Sequence, residues 1–124
     1  MTRKIFFNDQ RGASAVEFAL TLPVFLLMLL GVWQLSFGMW AQFALQHGAE
    51  QAARCFTVNR SVCDTVADTQ SYAAAQSFGL NPSPSVFTVT SPTCGNQISA
   101  VYSVSQILKG IPALTVHAQA CYTT

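Results

Sequence analysis

From Phe18 to Ala49 the chain carries no charged residue, and its densest apolar stretch, Pro23–Trp33, reads PVFLLMLLGVW. About 20 apolar residues in a helix cross the hydrocarbon core of a bilayer, so this run predicts a transmembrane helix. A cleaved secretory signal has a shorter apolar region ending at a small-residue site. Here the run is far longer, and only weak small-residue positions such as Ala41 and Ala44 follow. Past Phe43 the pattern changes without a breaker. Ala44, Leu45, Gly48, Ala49, Ala52, Ala53 and Phe56 recur at steps of three and four, while Gln42, Gln46, Glu50 and Gln51 take much of the other side. That period predicts the same helix leaving the membrane as an amphipathic stalk. From Ala13 to Phe56 it would extend roughly 66 Å at 1.5 Å per residue. Gly31 and Gly38 share a helix face, and Ala41, Gly48 and Ala52 follow at helical spacing. Small residues on one face let another helix approach closely, although glycine is common in membrane helices in any case.

Beyond the stalk the period shortens. Thr65-Val66-Ala67-Asp68 has the form of a capping box, and Gly79 followed by Asn81-Pro82 supplies a stop. The spacing predicts a helix over Val66–Phe78, with Asn81-Pro82-Ser83-Pro84 as a rigid connector. Three alternating runs follow. Phe87 and Val89 alternate with Val86, Thr88 and Thr90; Ile98, Ala100, Tyr102 and Val104 alternate with Ser99, Val101 and Ser103. Leu114, Val116, Ala118, Ala120 and Tyr122 alternate with Thr115, His117, Gln119 and Cys121. Period-two patterning marks antiparallel strands with one buried face. The fold class is therefore α+β: a long N-terminal transmembrane helix continuing as a stalk, packed on a short helix and a three-stranded antiparallel meander. Lys109-Gly110-Ile111-Pro112 lies in the second strand connection.

Composition sharpens this picture. The 124 residues leave room for one small domain, and only 9% are charged, against about 25% in soluble domains. Arg3, Lys4 and Arg11 precede the apolar run, and few charges follow it, so the positive-inside rule puts the N-terminus in the cytoplasm. Trp33 and Trp40 suit the outer interface, where indoles prefer to sit. Cys55, Cys63, Cys94 and Cys121 all lie beyond the run, an even number in an extracytoplasmic domain, which reads as two disulfides. Four cysteines allow three pairings. In the meander Cys94 falls in the first turn and the third strand returns Cys121 to that point, which predicts Cys94–Cys121 and, by remainder, Cys55–Cys63.

The junction Arg11-Gly12-Ala13-Ser14-Ala15-Val16-Glu17-Phe18-Ala19-Leu20 sets a glycine before the apolar run and a carboxylate five residues after it. A charge deep in a bilayer costs about 2.5–3.5 kcal/mol on insertion scales and is usually paired or functional; near the interface the cost is lower. These residues resemble the type IV prepilin family. Val16-Glu17-Phe18-Ala19-Leu20 with Leu22-Pro23 is similar, more narrowly, to the TadE-like pseudopilins of tight-adherence (Flp) pilus systems. The resemblance covers Arg11 to about Cys55, with a longer C-terminal part than the short major pilins have and Glu-Phe where those usually have Glu-Tyr.

The resemblance implies a pilin-like fold and cleavage by a prepilin peptidase between Gly12 and Ala13. Glu17 would then be the fifth residue of the mature chain, with Phe18 and Pro23 as further assembly positions. Cleavage would free an α-amino group at Ala13, protonated at pH 7, and a neighbouring subunit's Glu17 would pair with it in an apolar bundle, where an unpaired charge is penalised. Pro23 removes one helical hydrogen bond and can kink the helix. Partners so implied are the peptidase, the major pilin and other pseudopilins, the inner-membrane assembly platform and membrane lipid, in a system that serves cell adhesion. The organisation is then 1–12 cytoplasmic leader, 13–56 transmembrane helix and stalk, and 57–124 a periplasmic or extracytoplasmic disulfide-bonded domain.

Other chemistry is hard to place. His117 and Cys121 are four apart, but tetrahedral zinc needs a second close ligand pair, so no metal or cofactor is expected. No nucleophile–base set and no phosphate loop stand out, so no enzyme activity and no small-molecule substrate are expected. Basic residues are too sparse for a nucleic-acid footprint. Asn59-Arg60-Ser61 fits a glycosylation sequon that a bacterial pseudopilin would leave unused. The alternative function is a signal-anchored bitopic protein that keeps its leader and carries an envelope- or surface-binding domain.

Overall fold

The computed structural model describes residues 10–105, 110 and 112–123. Arg3 and Lys4 of the expected leader, and Lys109 and Ile111 between the second and third strands, lie outside the described residues. The elements are α1 (Gln10–Val58), α2 (Val66–Ala75), a 3-10 turn (Pro84–Val86), β1 (Phe87–Thr90), β2 (Asn96–Ser103) and β3 (Thr115–Tyr122). The chain divides into two compact units, one ending at Leu35 and one running from Ser36 to Thr124.

In the first unit α1 is helical throughout and continues through Pro23. The Thr21 hydroxyl donates back to the carbonyls of Glu17 (3.1 Å) and Phe18 (3.2 Å), the usual way a helical threonine satisfies its side chain. The large apolar side chains face outward: Leu20 is 72% exposed, Met28 68% and Trp33 68%. A surface this apolar is unsuited to water. Among the described residues α1 is the one helix long and apolar enough to cross a membrane.

The second unit contains a core. The stalk part of α1 supplies Ala41, Leu45, Ala49, Ala52 and Ala53, all buried, and β-strand side chains Phe87, Ile98, Ala100, Val116 and Ala118 close over them. Alanine on the helix lets the sheet approach, and the larger strand side chains fill the gap. The sheet order is β1-β2-β3, antiparallel throughout, with Phe87 opposite Ala100 and Ala100 opposite Ala118. The expected inward set is the buried or half-buried set, except that Leu114 and Tyr122, at the two ends of the third run, stay 38% and 39% exposed.

Helix α2 runs back along α1. Its N-terminus is fixed by the expected capping box: the Asp68 amide donates to Thr65 Oγ1 (3.1 Å) and the Thr65 amide to Asp68 Oδ2 (3.3 Å). The helix stops at Ala75, short of the expected Phe78, because the chain turns through positive φ at Phe78, Gly79 and Asn81. At Gly48 the chain of α2 and the turn after it come close to α1. A Cβ there would lie 2.5 Å from Ser77 Oγ and 2.6 Å from the Ala73 carbonyl oxygen, so the small-residue face of the stalk seats α2.

Two hydrogen-bond groups tie the sheet to the stalk. Gln46 Nε2 donates to the Gln119 carbonyl (3.0 Å), and its Oε1 accepts from the Gln119 amide (3.2 Å). Gln42 Nε2 donates to the His117 carbonyl at 2.5 Å. These amides occupy the outer edge of β3 as a neighbouring strand would. Buried Asn96, at the start of β2, donates to Thr57 Oγ1 (3.0 Å) and accepts from Ser91 Oγ (3.0 Å).

Candidate functional site

The residues singled out by sequence fall into separate groups. Gly12, Ala13, Glu17, Phe18 and Pro23 all lie on α1 in the first unit, and all are exposed. No heavy atom lies within 4 Å of where a Cβ on Gly12 would stand. Packing among the described residues therefore does not demand glycine at position 12. Ala13 and Glu17 are four residues apart, which sets them on one helix face. Among the described residues no hydrogen bond or ion pair reaches the Glu17 carboxylate. It is the single charged side chain between Gly12 and Ala49, an isolated acceptor on an apolar surface.

The cysteines lie in the second unit. Cys55 bonds to Cys63 with their Cα atoms 5.9 Å apart, and Cys94 bonds to Cys121 at 6.4 Å. The two bonds differ in setting. Cys55 and Cys63 are buried where α1 turns towards α2, whereas Cys94 and Cys121 are exposed at the end of the meander. The first bond closes the α1–α2 hairpin; the second pins the β1–β2 turn to the end of β3.

A cleft of about 300 Å³ opens beside the second bond, lined by Glu50, Gln51, Ala53, Arg54, Ala120, Cys121 and Tyr122. It holds one carboxylate and one guanidinium but no nucleophile with an adjacent base. No group of three or more metal-binding side chains gathers among the described residues. His117 is exposed on β3, and its prospective companion Cys121 is committed to a disulfide.

Two features escaped the sequence. One is the glutamine pair on the β3 edge, whose partners are some seventy residues away and carry no local signal. The other is an aromatic cluster in the second unit: Phe78 stacks on Phe43 at 5.9 Å between centroids and meets the His47 ring at 4.3 Å, while His47 Nδ1 lies 3.0 Å from the Gln76 carbonyl. Phe78 read as the last turn of a helix; its positive φ (+39°) takes it out of that helix.

The arrangement is a candidate membrane-spanning helix that carries one carboxylate, followed by a small α+β unit closed by two disulfides. Residues 12–54, about a third of the chain, match the model of the TadE-like protein family. The family is structural and associated with tight-adherence pilus systems. A search of curated proteins and a search of solved structures each find no match to the chain.

Proposed function

We propose that the chain is a minor pseudopilin of tight-adherence pili, cut by a prepilin peptidase between Gly12 and Ala13 and acting in pilus assembly at the inner membrane. The observation that carries this reading is the exposed Glu17, without a partner among the described residues, in a segment whose match to the TadE-like model begins at Gly12. The new α-amino group at Ala13 gives a neighbouring subunit's Glu17 a cationic partner. Two charges that are each unfavourable in an apolar bundle become favourable together, and only in one register. The free space around Gly12 supports a recognition role for that glycine, since no contact among the described residues requires it. The N-terminus is cytoplasmic and the disulfide-bonded unit periplasmic in this reading. The major pilin, other pseudopilins and the membrane platform are the partners.

Processing is the test. Co-expressed with an active prepilin peptidase, the chain is expected to yield a product beginning at Ala13 by intact mass and N-terminal sequencing. A chain that keeps its leader, while a control prepilin is cut in the same cells, overturns the reading in favour of a signal-anchored binding protein.

A further inference from the structure

The second unit has two unlike ends. Its charged residues, among those described, are Glu50, Arg54, Arg60, Asp64 and Asp68. All lie beyond residue 49 of α1, in the hairpin after it, or in the first turn of α2. Because α2 runs back along α1, these charges gather at one end of the unit. The other end, where the unit's chain begins, carries an apolar collar. On α1 it comprises Met39 (75% exposed), Trp40 and Phe43 (65% exposed). Two other parts of the chain reach the collar: the turn after α2 brings Phe78 onto Phe43, and the approach to β3 brings Leu114 against Gly38, about 7.5 Å nearer the start of the unit.

Phe78 is held there at a conformational disadvantage. A bulky side chain at positive φ is rare, and such a residue persists only where its surroundings over-determine it. The buried Ser77 hydroxyl, bonded to the Ala73 carbonyl at 2.8 Å, anchors the chain on one side of it. Stacking on Phe43 and His47 covers only part of the ring, and 52% of Phe78 stays exposed. Water is a poor solvent for such a collar, whereas the headgroup–acyl boundary of a bilayer accepts aromatic rings.

We propose that this rim, Phe78 included, inserts into the outer interface of the lipid bilayer, so that the folded domain rests on the membrane instead of standing clear of it. The occupant is lipid for a reason in the chain itself. The charge-free run that supplies the transmembrane segment continues unbroken through the collar to Ala49, and the first charged side chain is Glu50. The inference rests on the membrane-span reading of α1 and is independent of leader cleavage.

Depth-dependent quenching of single tryptophans tests it. The full chain is placed in phosphatidylethanolamine/phosphatidylglycerol nanodiscs with brominated acyl chains. Four proteins are compared: Trp33 alone (Trp40→Phe), Trp40 alone (Trp33→Phe), and Phe78→Trp or Phe56→Trp in the Trp33→Phe/Trp40→Phe background. The indole at position 78 is expected to emit to the blue of that at 56, to lose severalfold more emission to bromine, and to resist iodide. An indole at 78 that bromine spares and iodide reaches overturns the proposal. So does one spared by both, since a second copy or another protein then covers the rim. If Trp33 is quenched and position 78 is not, the span stands and only this proposal fails; if Trp33 itself is unquenched, both fall. In the unaltered chain, a headgroup nitroxide lipid is expected to broaden the Phe78 and Gly79 amide signals more than those of Thr65 and Val66. Equal broadening counts against insertion whatever the variants do.

Discussion

The two parts of α1 use their side chains in opposite ways. Before Leu35 the helix carries large apolar groups and exposes them: Val24, Phe25, Leu27 and Met28 are each more than half exposed. In the second unit its inward side chains are mostly alanine, and they are completely or nearly completely covered. The difference teaches what each part takes as its solvent. A helix that packs against lipid gains from bulk on every side, whereas one that packs against a sheet and a second helix gains from a small face that lets them close in. The polar groups follow the same division. Between Gly12 and Leu35 the one carboxylate, Glu17, has no partner among the described residues; in the second unit, glutamine, asparagine and histidine side chains find backbone or side-chain partners within the unit.

The largest expected effect comes from that lone carboxylate. On the proposed reading, Glu17→Ala removes the partner of a neighbour's α-amino group and leaves the cut site untouched. The expected outcome is normal leader removal with loss of subunit incorporation into the assembly complex, read by N-terminal sequencing and by co-purification with the other pilus subunits. Normal incorporation would sink the pairing role and leave Glu17 as an ordinary interfacial residue.

Next come deletions of equal chemistry on the two surfaces. Phe87 is completely buried in the second unit, and Phe87→Ala is expected to lower the stability of that unit by about 3–5 kcal/mol, the usual range for a core phenylalanine. Leu27→Ala removes a side chain that is 60% exposed within the first unit. It is expected to leave the unfolding of the second unit unchanged. Denaturant titration of the chain in detergent, followed by Tyr and Trp emission, compares the two. Equal losses would mean that the units do not unfold separately.

The glycines sharpen the same contrast at smaller scale. Gly48→Ala sets a methyl against Ser77 and the Ala73 carbonyl, an overpacking expected to cost about 1–3 kcal/mol. Gly31 has nothing within 4 Å of the corresponding position, so Gly31→Ala is expected to be neutral or to add up to about 1 kcal/mol of helix stability. Thermal unfolding of both variants reads the difference. A stabilised Gly48→Ala would show that α2 can shift away from the stalk without loss.

How far these features could be read beforehand depends on the range of the interaction behind each one. The apolar run, the capping box at Thr65–Asp68 and the alternation of the strands are local, and the structure contains each of them. The meander also carried enough geometry to bring Cys94 to Cys121, since a turn and the end of the strand after next must lie side by side. Ends of elements were less legible. Val86 alternates with Phe87 in sequence, yet Pro84 draws it into a 3-10 turn. β2 begins at Asn96, two residues before its apolar alternation, because Thr57 and Ser91 satisfy the buried amide. Gln42 and Gln46 looked like a solvated helix side. Their real partners belong to a strand that no local pattern connects to them.

Those glutamines set the last and smallest effect. β3 is an edge of the sheet, and an uncovered edge is a template for another strand. Gln46 answers both backbone groups of Gln119 at once, 3.0 Å to the carbonyl and 3.2 Å to the amide, and a second bond joins its Nε2 to Glu50 Oε1 at 3.0 Å. Gln46→Leu keeps most of the packing and removes the amide. The loss expected is about 1 kcal/mol for each of the two bonds to Gln119, since water at this partly exposed edge replaces some of what is removed. Stability is the lesser readout. With the edge open, the variant is expected to self-associate as its concentration rises, seen by sedimentation in detergent, while Gln70→Leu, which removes the α2 amide that donates to the Phe87 carbonyl of the short strand β1 (2.6 Å), is expected to do so less. A monomeric Gln46→Leu with the stability loss intact would show that the amide only fastens the sheet to the stalk. Association with no stability loss would show that its main work is to keep other strands away.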